Sequence, residues 1–246
     1  MQLIILASGR GSRLGDLTIK KPKCLVNVND KSIIDYQIEI FKYFKTIIII
    51  VGYKGHLIKK KLKNFKNIIF IENKYYRQTN MVYSLCLARK YFNKDTIITY
   101  SDIIFDENII KYIYKKKNNI LPINKEWKDL WLKRMKKKDI YNDAEDLQIK
   151  YNQISQIGTK IQSTLPKYQY MGIIKLNKSS LIKFFNIFKS YNNPKISFTD
   201  FLNYLIKKYK FNIKAYKNSK YWYEIDNEID LKFTEKQLKT IYKNRT

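Results

Sequence analysis

Three of the chain's seven glycines, Gly9, Gly11 and Gly15, fall within seven residues directly after its first apolar run. A chain this sparing with glycine concentrates it where the backbone must come close to something. Arg10 and Arg13 share that loop, and Lys20, Lys21 and Lys23 follow it. Backbone N–H groups and fixed cations at a strand-to-loop junction suit a polyphosphate. The plainer alternative is a surface turn in a basic protein. Two familiar phosphate motifs do not fit. A P-loop needs Gly-Lys followed by Ser or Thr, which is absent. A dinucleotide fingerprint needs glycine where Leu14 stands, and the second expected strand ends in Gly52-Tyr53-Lys54, with no acid for a ribose hydroxyl.

Regular elements must hold this loop. Residues 3–6 form an apolar strand, and 46–51 is a β-branched run that reads as a central strand buried on both faces. Further strands are expected at 67–71 and 95–100, with helices at 33–44, 56–65 and 81–91, the last capped by Asn80. This βαβα rhythm implies a Rossmann-like α/β fold, a mixed and mainly parallel central sheet flanked by helices. At 122–167 the rhythm breaks into a polar insertion carrying Trp127 and Trp131. Elements return as a strand at 168–176, helices at 178–188 and 198–209, a strand at 212–216 and a closing helix at 228–242. No linker or repeat divides the chain, so a single domain is expected.

Composition narrows the partners. With 246 residues, 45% hydrophobic and 15% aromatic, the chain can bury a core and disorder is excluded. The net charge of +28 invites a nucleic-acid reading. However, only six of the 49 basic residues are Arg, the better bidentate reader of phosphates and bases. Lys, Ile, Asn, Tyr and Phe are abundant together and share AT-rich codons, so codon bias accounts for most of the charge and no nucleic-acid partner is expected. The longest aliphatic run, 47–51, is far too short to span a membrane. The N-terminus has no basic segment before its apolar run and no cleavage site after it, and reads as a buried strand. Cys24 and Cys86 lack metal spacing and suggest no disulfide framework. A soluble, cytoplasmic monomer or homodimer is expected.

The segment LASGRGSRLGDLTIKKPKCLV closely resembles the signature of the nucleoside-diphosphate-sugar pyrophosphorylase-like nucleotidyltransferases, L-A-x-G-x-G-x-R-L followed by P-K-x-L. Ser8 stands where that family usually has alanine. The resemblance implies nucleotide contacts from Leu6, Ala7, Ser8, Gly9, Gly11 and Ser12, with the loop wrapping the triphosphate and base. It also implies that Arg13 holds the β,γ-phosphates and Lys23 the α-phosphate as charge moves toward leaving pyrophosphate. The chemistry needs these groups, because two anions meet at phosphorus and charge neutralisation with in-line positioning supplies most of the rate.

Nucleotidyl transfer also needs a divalent cation, and hard cations need carboxylates. Asp102 follows the fourth strand in TYSD, at the carboxyl end that would face the site. Trp222, Glu224 and Asp226 lie in YWYEIDNEIDL, which resembles the W-x-E-x-D motif of the phosphocholine and aminoethylphosphonate cytidylyltransferases. By that resemblance Asp102 and Asp226 jointly bind Mg²⁺, or Mn²⁺ in its place; otherwise each is a cap or turn residue. RQTNMVYSLCLAR resembles the T-N-x-x-Y-S-L stretch of the same branch, which makes Asn80 and Ser84 the candidates for base contacts. Those residues equally read as a helix cap with one buried face.

The stretch EWKDLWLKRMKKKDIYNDAEDL resembles the W-x-x-L-W-x-x-R-M…D-A-E segment of the aminoethylphosphonate cytidylyltransferase-like group, and the likeness runs on through nearly the whole chain. It contains a lone Arg among lysines, two tryptophans and the acids Asp143 and Glu145. That set suits an acceptor with an anionic phosphoryl group and a cationic amine: Arg134 for the anion, Trp131, Asp143 and Glu145 for the cation. Tyr170, Thr199 and Glu224 join them as candidates, whereas Trp127 reads as core and His56 has no expected role. The expected activity is CTP-dependent transfer of CMP to a small amino-bearing phosphate or phosphonate, feeding surface polysaccharide or lipid decoration. Residues 1–121 would form the nucleotide-binding half, 122–226 the acceptor half and 227–246 the closing helix. Two rivals stand beside it: a sugar-1-phosphate nucleotidyltransferase using UTP, dTTP or CTP, and a basic RNA-binding module.

Overall fold

The structure is a computed structural model that describes residues 1–161 and 164–243. Strand β1 (Gln2–Ala7) is buried at every position. After it come two short 3-10 turns, Ser12–Thr18 and Lys23–Leu25, and a small hairpin of β2 (Asn27–Val28) and β3 (Lys31–Ser32). Helix α1 (Ile33–Phe41) starts at a capping box, in which the Asp35 carboxylate accepts from the Ser32 N–H at 3.0 Å. Then follow β4 (Ile47–Val51), α2 (Gly55–Lys61), β5 (Ile68–Glu72), α3 (Met81–Cys86) and β6 (Thr96–Tyr100). These strands stand in the order β5-β4-β1-β6, all parallel, with Ile4 in register with both Ile48 and Ile98. Isoleucine-rich strands with no polar face can sit only in the middle of such a sheet.

The second half adds β7 (Ile103–Phe105), α4 (Glu107–Tyr114), β8 (Ile120–Asn124), α5 (Trp127–Leu132), α6 (Lys137–Asp143), β9 (Glu145–Lys150) and β10 (Gln153–Lys160). It continues with β11 (Gln169–Tyr170), β12 (Ile173–Leu176), α7 (Lys178–Tyr191), α8 (Phe198–Tyr209), β13 (Lys214–Asn218), β14 (Trp222–Glu224) and α9 (Glu228–Lys243). The sheet runs on as β6-β12-β8-β13-β10-β9, with β12 antiparallel to its neighbours and β13 parallel to β8. Alternate side chains of β1 serve two cores. Ile4 and Leu6 meet α3, α7 and α8, whereas Leu3 and Ile5 face the side of α1, α4 and Trp127. A third patch, Leu14, Val26, Ile225 and Leu238, seats α9 beside the glycine-rich loop.

Several expected elements differ. The strand at 168–176 is two strands, β11 and β12, broken where Gly172 takes φ 72°. The insertion begins later than residue 122, because Pro122 lies inside the buried β8, paired with Tyr216 of β13. On its other side β8 meets β12 at Ile120 and β11 at Ile123, so the break falls opposite the one residue without an N–H. The helix expected at 81–91 ends at Cys86, and that at 56–65 ends at Lys61. Strand β7 was not expected. Of the closing segment 227–246, residues 244–246 lie outside the described residues.

A side chain at Gly172 would be strained by its φ and would come within 3.0 Å of the Tyr100 ring. Gly172→Ala is expected to cost about 1–3 kcal/mol. Urea unfolding measures it, and an unchanged midpoint would show that the break does not need glycine.

Candidate active site

The glycine-rich loop leaves β1 at its carboxyl end and is latched from two sides. The Tyr53 N–H donates to the Ser8 carbonyl at 3.0 Å, and the Tyr53 hydroxyl donates to the Thr18 and Ile19 carbonyls at 3.1 and 2.7 Å. Gly11 takes φ 72°, and a Cβ there would come 2.6 Å from the Lys23 Cβ. Glycine at this position lets the lysine stem lie against the loop. A cleft of about 330 Å³ opens beside it, lined by residues 6–9, 11–13 and Lys23, with Asp102, Glu224 and Asp226 opposite.

Lys23 is largely buried and its ammonium donates to Asp102 Oδ2 at 2.8 Å and Asp226 Oδ1 at 2.5 Å. Burial works against its charge, but the two carboxylates outweigh it and hold its pKa above the ordinary lysine value. Arg13 adds a second cation, 2.8 Å from Asp226 and 3.5 Å from Asp143. The two motifs meet because β14 pairs antiparallel with β7, which sets Glu224 beside Ile103, while the Ile225 N–H donates to the Asp102 carbonyl at 3.1 Å. Asp102, Glu224 and Asp226 each bring a carboxylate oxygen within 4.8 Å of the others. Asp102 Oδ1 is buried and has no partner among the described residues. Burial, reinforced by Asp226 and Asp102, raises the Glu224 carboxyl well above its ordinary pKa. Three clustered hard-oxygen donors, one of them orphaned, fit a hard divalent cation.

Asp226 is held from behind. Its N–H and that of Asn227 donate to Asp230 Oδ2 at 2.9 and 3.2 Å, while Asn227 Oδ1 accepts from the Ile229 and Asp230 N–H groups. The other Asp230 oxygen is paired with Arg134, and Asp230 is fully buried. Arg134, expected to meet the acceptor's anion, instead has its guanidinium on Asp230 and over the Trp131 ring. Asp230 had no assigned role. Its signal was present in DNEID, where Asn227 and an acid three residues on make a helix-start pair.

Neither Asn80 nor Ser84 is among the residues lining the cleft. Asn80 accepts from the Met81 N–H through its side chain, and Ser84 is buried with its hydroxyl 3.0 Å from that of Ser8. A smaller compartment of about 170 Å³ adjoins the cleft and shares Arg13, Glu224 and Asp226 with it. It gathers Trp131, Asp143, Glu145, Tyr170 and Thr199, together with Gln169 and Trp222, which were not singled out for this side. The Thr199 hydroxyl donates to Glu145 at 2.8 Å. Burial raises both the Asp143 and Glu145 carboxyls. Trp127 lies in the core, its indole N–H donating to the Pro166 carbonyl at 3.2 Å.

A parallel sheet whose first strand delivers a basic glycine-rich loop to clustered carboxylates defines an enzyme of the nucleotidyltransferase class. The chain belongs to the family of the MobA-like NTP transferase domain, which residues 3–121 match. It is 34% identical to the CTP:phosphoglutamine cytidylyltransferase of Campylobacter jejuni, over 94% of this chain and 98% of that one. It is 38% identical to the choline-phosphate cytidylyltransferase of Streptococcus pneumoniae, over 43% of this chain and 46% of the relative. Its fold is similar to the solved CTP:phosphocholine cytidylyltransferase from S. pneumoniae, with a TM-score of 0.75 at 22% identity over 96% of this chain and 98% of that one. No helix among the described residues is long and apolar enough to cross a membrane.

Asp230→Ala would leave the Arg134 guanidinium buried without its partner and free the backbone of Asp226. The expected cost is about 3–5 kcal/mol of stability, measured by urea unfolding. A loss under about 1 kcal/mol, the scale of an exposed pair, would show that the contact is not the support described.

Proposed function

We propose that the enzyme transfers CMP from CTP to a phosphoryl or phosphonyl oxygen of a small amino-bearing acceptor, releasing pyrophosphate. The observation that carries this reading is Lys23 between Asp102 and Asp226 beneath the glycine-rich loop, with an acid-walled aromatic compartment just across Arg13. The acceptor oxygen bonds to the α-phosphorus as the bond to the β-phosphate bridge breaks. Pyrophosphate takes that electron pair. Loop N–H groups and Arg13 hold the β,γ-phosphates, and Lys23 donates to an α-phosphate oxygen where charge gathers. An ionised phosphate needs no general base, so Asp143 and Glu145 serve to orient the ammonium group. Asp102 and Asp226, with Glu224 beside them, would hold Mg²⁺ or Mn²⁺, which supplies charge neutralisation at the phosphates when bound.

The relatives support the substrate class, being named for phosphoglutamine and choline phosphate, both nitrogen-bearing. A sugar 1-phosphate brings no cation and would leave Glu145 with only the Thr199 hydroxyl and Asp143 with only Arg13 to offset their desolvation. The reaction belongs in the cytoplasm with its CTP, and its product is an activated head group for surface polysaccharide or lipid. The deciding assay is pyrophosphate release from four nucleotides against a panel of acceptors. CTP with an amino-bearing acceptor should lead. A sugar 1-phosphate as best acceptor, with Glu145→Gln harmless, would sink the acceptor assignment.

Replacing Asp102 or Asp226 by Ala should each lower kcat/KM by roughly 10²–10³-fold, and the double variant should be little worse because the two act as a unit. Near-normal turnover in Asp226→Ala would remove it from the site.

Glu145 gives a pH signature. Burial raises its carboxyl, while the Thr199 hydrogen bond partly offsets this. As pH falls through that raised value the carboxylate takes a proton and loses its hold on the ammonium. The acceptor KM should therefore rise by about tenfold toward acid, with the CTP KM unmoved. Glu145→Gln should start from a higher KM and lose the part of the acid rise that Glu145 contributes, leaving only that of Asp143, and a wild-type profile shared by the variant would refute the assignment.

A further inference from the structure

Arg134 is not among the residues lining either compartment, and its side chain is almost wholly buried. Helix α5 ends at Leu132, and the Arg134 and Met135 N–H groups both donate to the Trp131 carbonyl, at 3.0 and 2.8 Å. This turn folds the Arg134 side chain back, and its guanidinium carbon lies 5.0 Å from the centre of the Trp131 ring. Trp127, fully buried, packs perpendicular to the same ring with centroids 5.2 Å apart. The indole that walls the acceptor compartment is thus gripped by two neighbours. The same guanidinium is paired with Asp230 Oδ1, while Asp230 Oδ2 accepts from the Asp226 and Asn227 N–H groups at 2.9 and 3.2 Å. Asp226 in turn lines both compartments.

Lysine would not serve here. A planar guanidinium can lie against an aromatic ring while an N–H on its edge pairs with a carboxylate, whereas an ammonium is a point charge on a flexible stem. A buried ion pair also tolerates little displacement, because either partner stripped of the other is left uncompensated. We propose that Arg134 is a positioning residue for both substrates: through Asp230 it places the Asp226 carboxylate, and through its contact with Trp131 it holds the wall of the acceptor compartment. One buried cation then keeps the acceptor wall and the metal-side carboxylate at a fixed spacing, which in-line attack on phosphorus requires. The inference rests on the reading of the two compartments as nucleotide and acceptor sites.

Arg134→Lys and Arg134→Met separate the two arms. Lysine keeps a cation for Asp230 but loses the planar contact with the ring. Affinity for the Mg²⁺ complex of CTP, read by isothermal titration, should stay within about threefold of wild type, while the KM of the best amino-bearing acceptor rises about tenfold. Arg134→Met leaves Asp230 buried without a counter-charge, so the CTP affinity and the acceptor KM should both worsen by about tenfold or more. On a Trp131→Leu background the lysine substitution should raise the acceptor KM no further, since the ring it acts through is gone. Should Arg134→Met fail to fold, that comparison decides. An arginine that only stabilises the fold would lower the urea midpoint of each variant and leave both constants of the folded enzyme unchanged. An unchanged acceptor KM in Arg134→Lys, an additive effect with Trp131→Leu, or a folded Arg134→Met with intact CTP affinity overturns the proposal. Wild type that binds no CTP or uses no amino-bearing acceptor would instead overturn the reading of the compartments, and the inference with it.

Discussion

Everything at this site hangs on one ammonium group. Lys23 reaches Asp102 and Asp226, carboxylates 79 and 203 residues away in the chain. A cation that deep must be paired, and two carboxylates so close must be neutralised. Each side therefore demands the other, and the glycine-rich loop, the turn after β6 and the start of α9 are drawn to a single point. Gly11 matters for the same reason: without room for the lysine stem, the ammonium could not arrive.

The surrounding structure separates holding from reacting. The β7–β14 ribbon fixes the heights of Glu224 and Asp102, and the Asp230–Arg134 pair fixes the backbone that carries Asp226. Tyr53 latches the loop at both ends. These supports are buried or spent in their own hydrogen bonds. Arg13, by contrast, is exposed and touches acids on both sides of the boundary between the two compartments. Rigid groups thus frame the cleft, and the exposed arginine stands where the two substrates would meet.

Much of this was legible in the sequence, for reasons that differ by residue. The aliphatic runs of β1 and β4 read as central strands, and the βαβα rhythm around them implied the parallel half of the sheet. The loop, Lys23, Asp102 and Asp226 were readable because motif chemistry fixes residue type. Arg134 was harder. A lone arginine among lysines does signal planar pairing, but only the fold shows that its partner is Asp230, 96 residues on. Ser84 was misleading for a related reason: a serine one turn into a helix faces either a ligand or its neighbours, and here Ser8 and Asn73 claim it. The break at Gly172 was missed because residues 168–176 read as one apolar-rich run, and the register with β8 and β6 decides otherwise.

The raised pKa of Lys23 has a consequence for chemical labelling. Acylating reagents attack the neutral amine, whereas Lys23 is buried and held protonated by its two carboxylates. The exposed lysines that dominate this surface would react first. Amine-directed labelling would therefore decorate the protein extensively while leaving the Lys23 ammonium intact. By the same logic, adventitious acetylation of so lysine-rich a chain need not silence it.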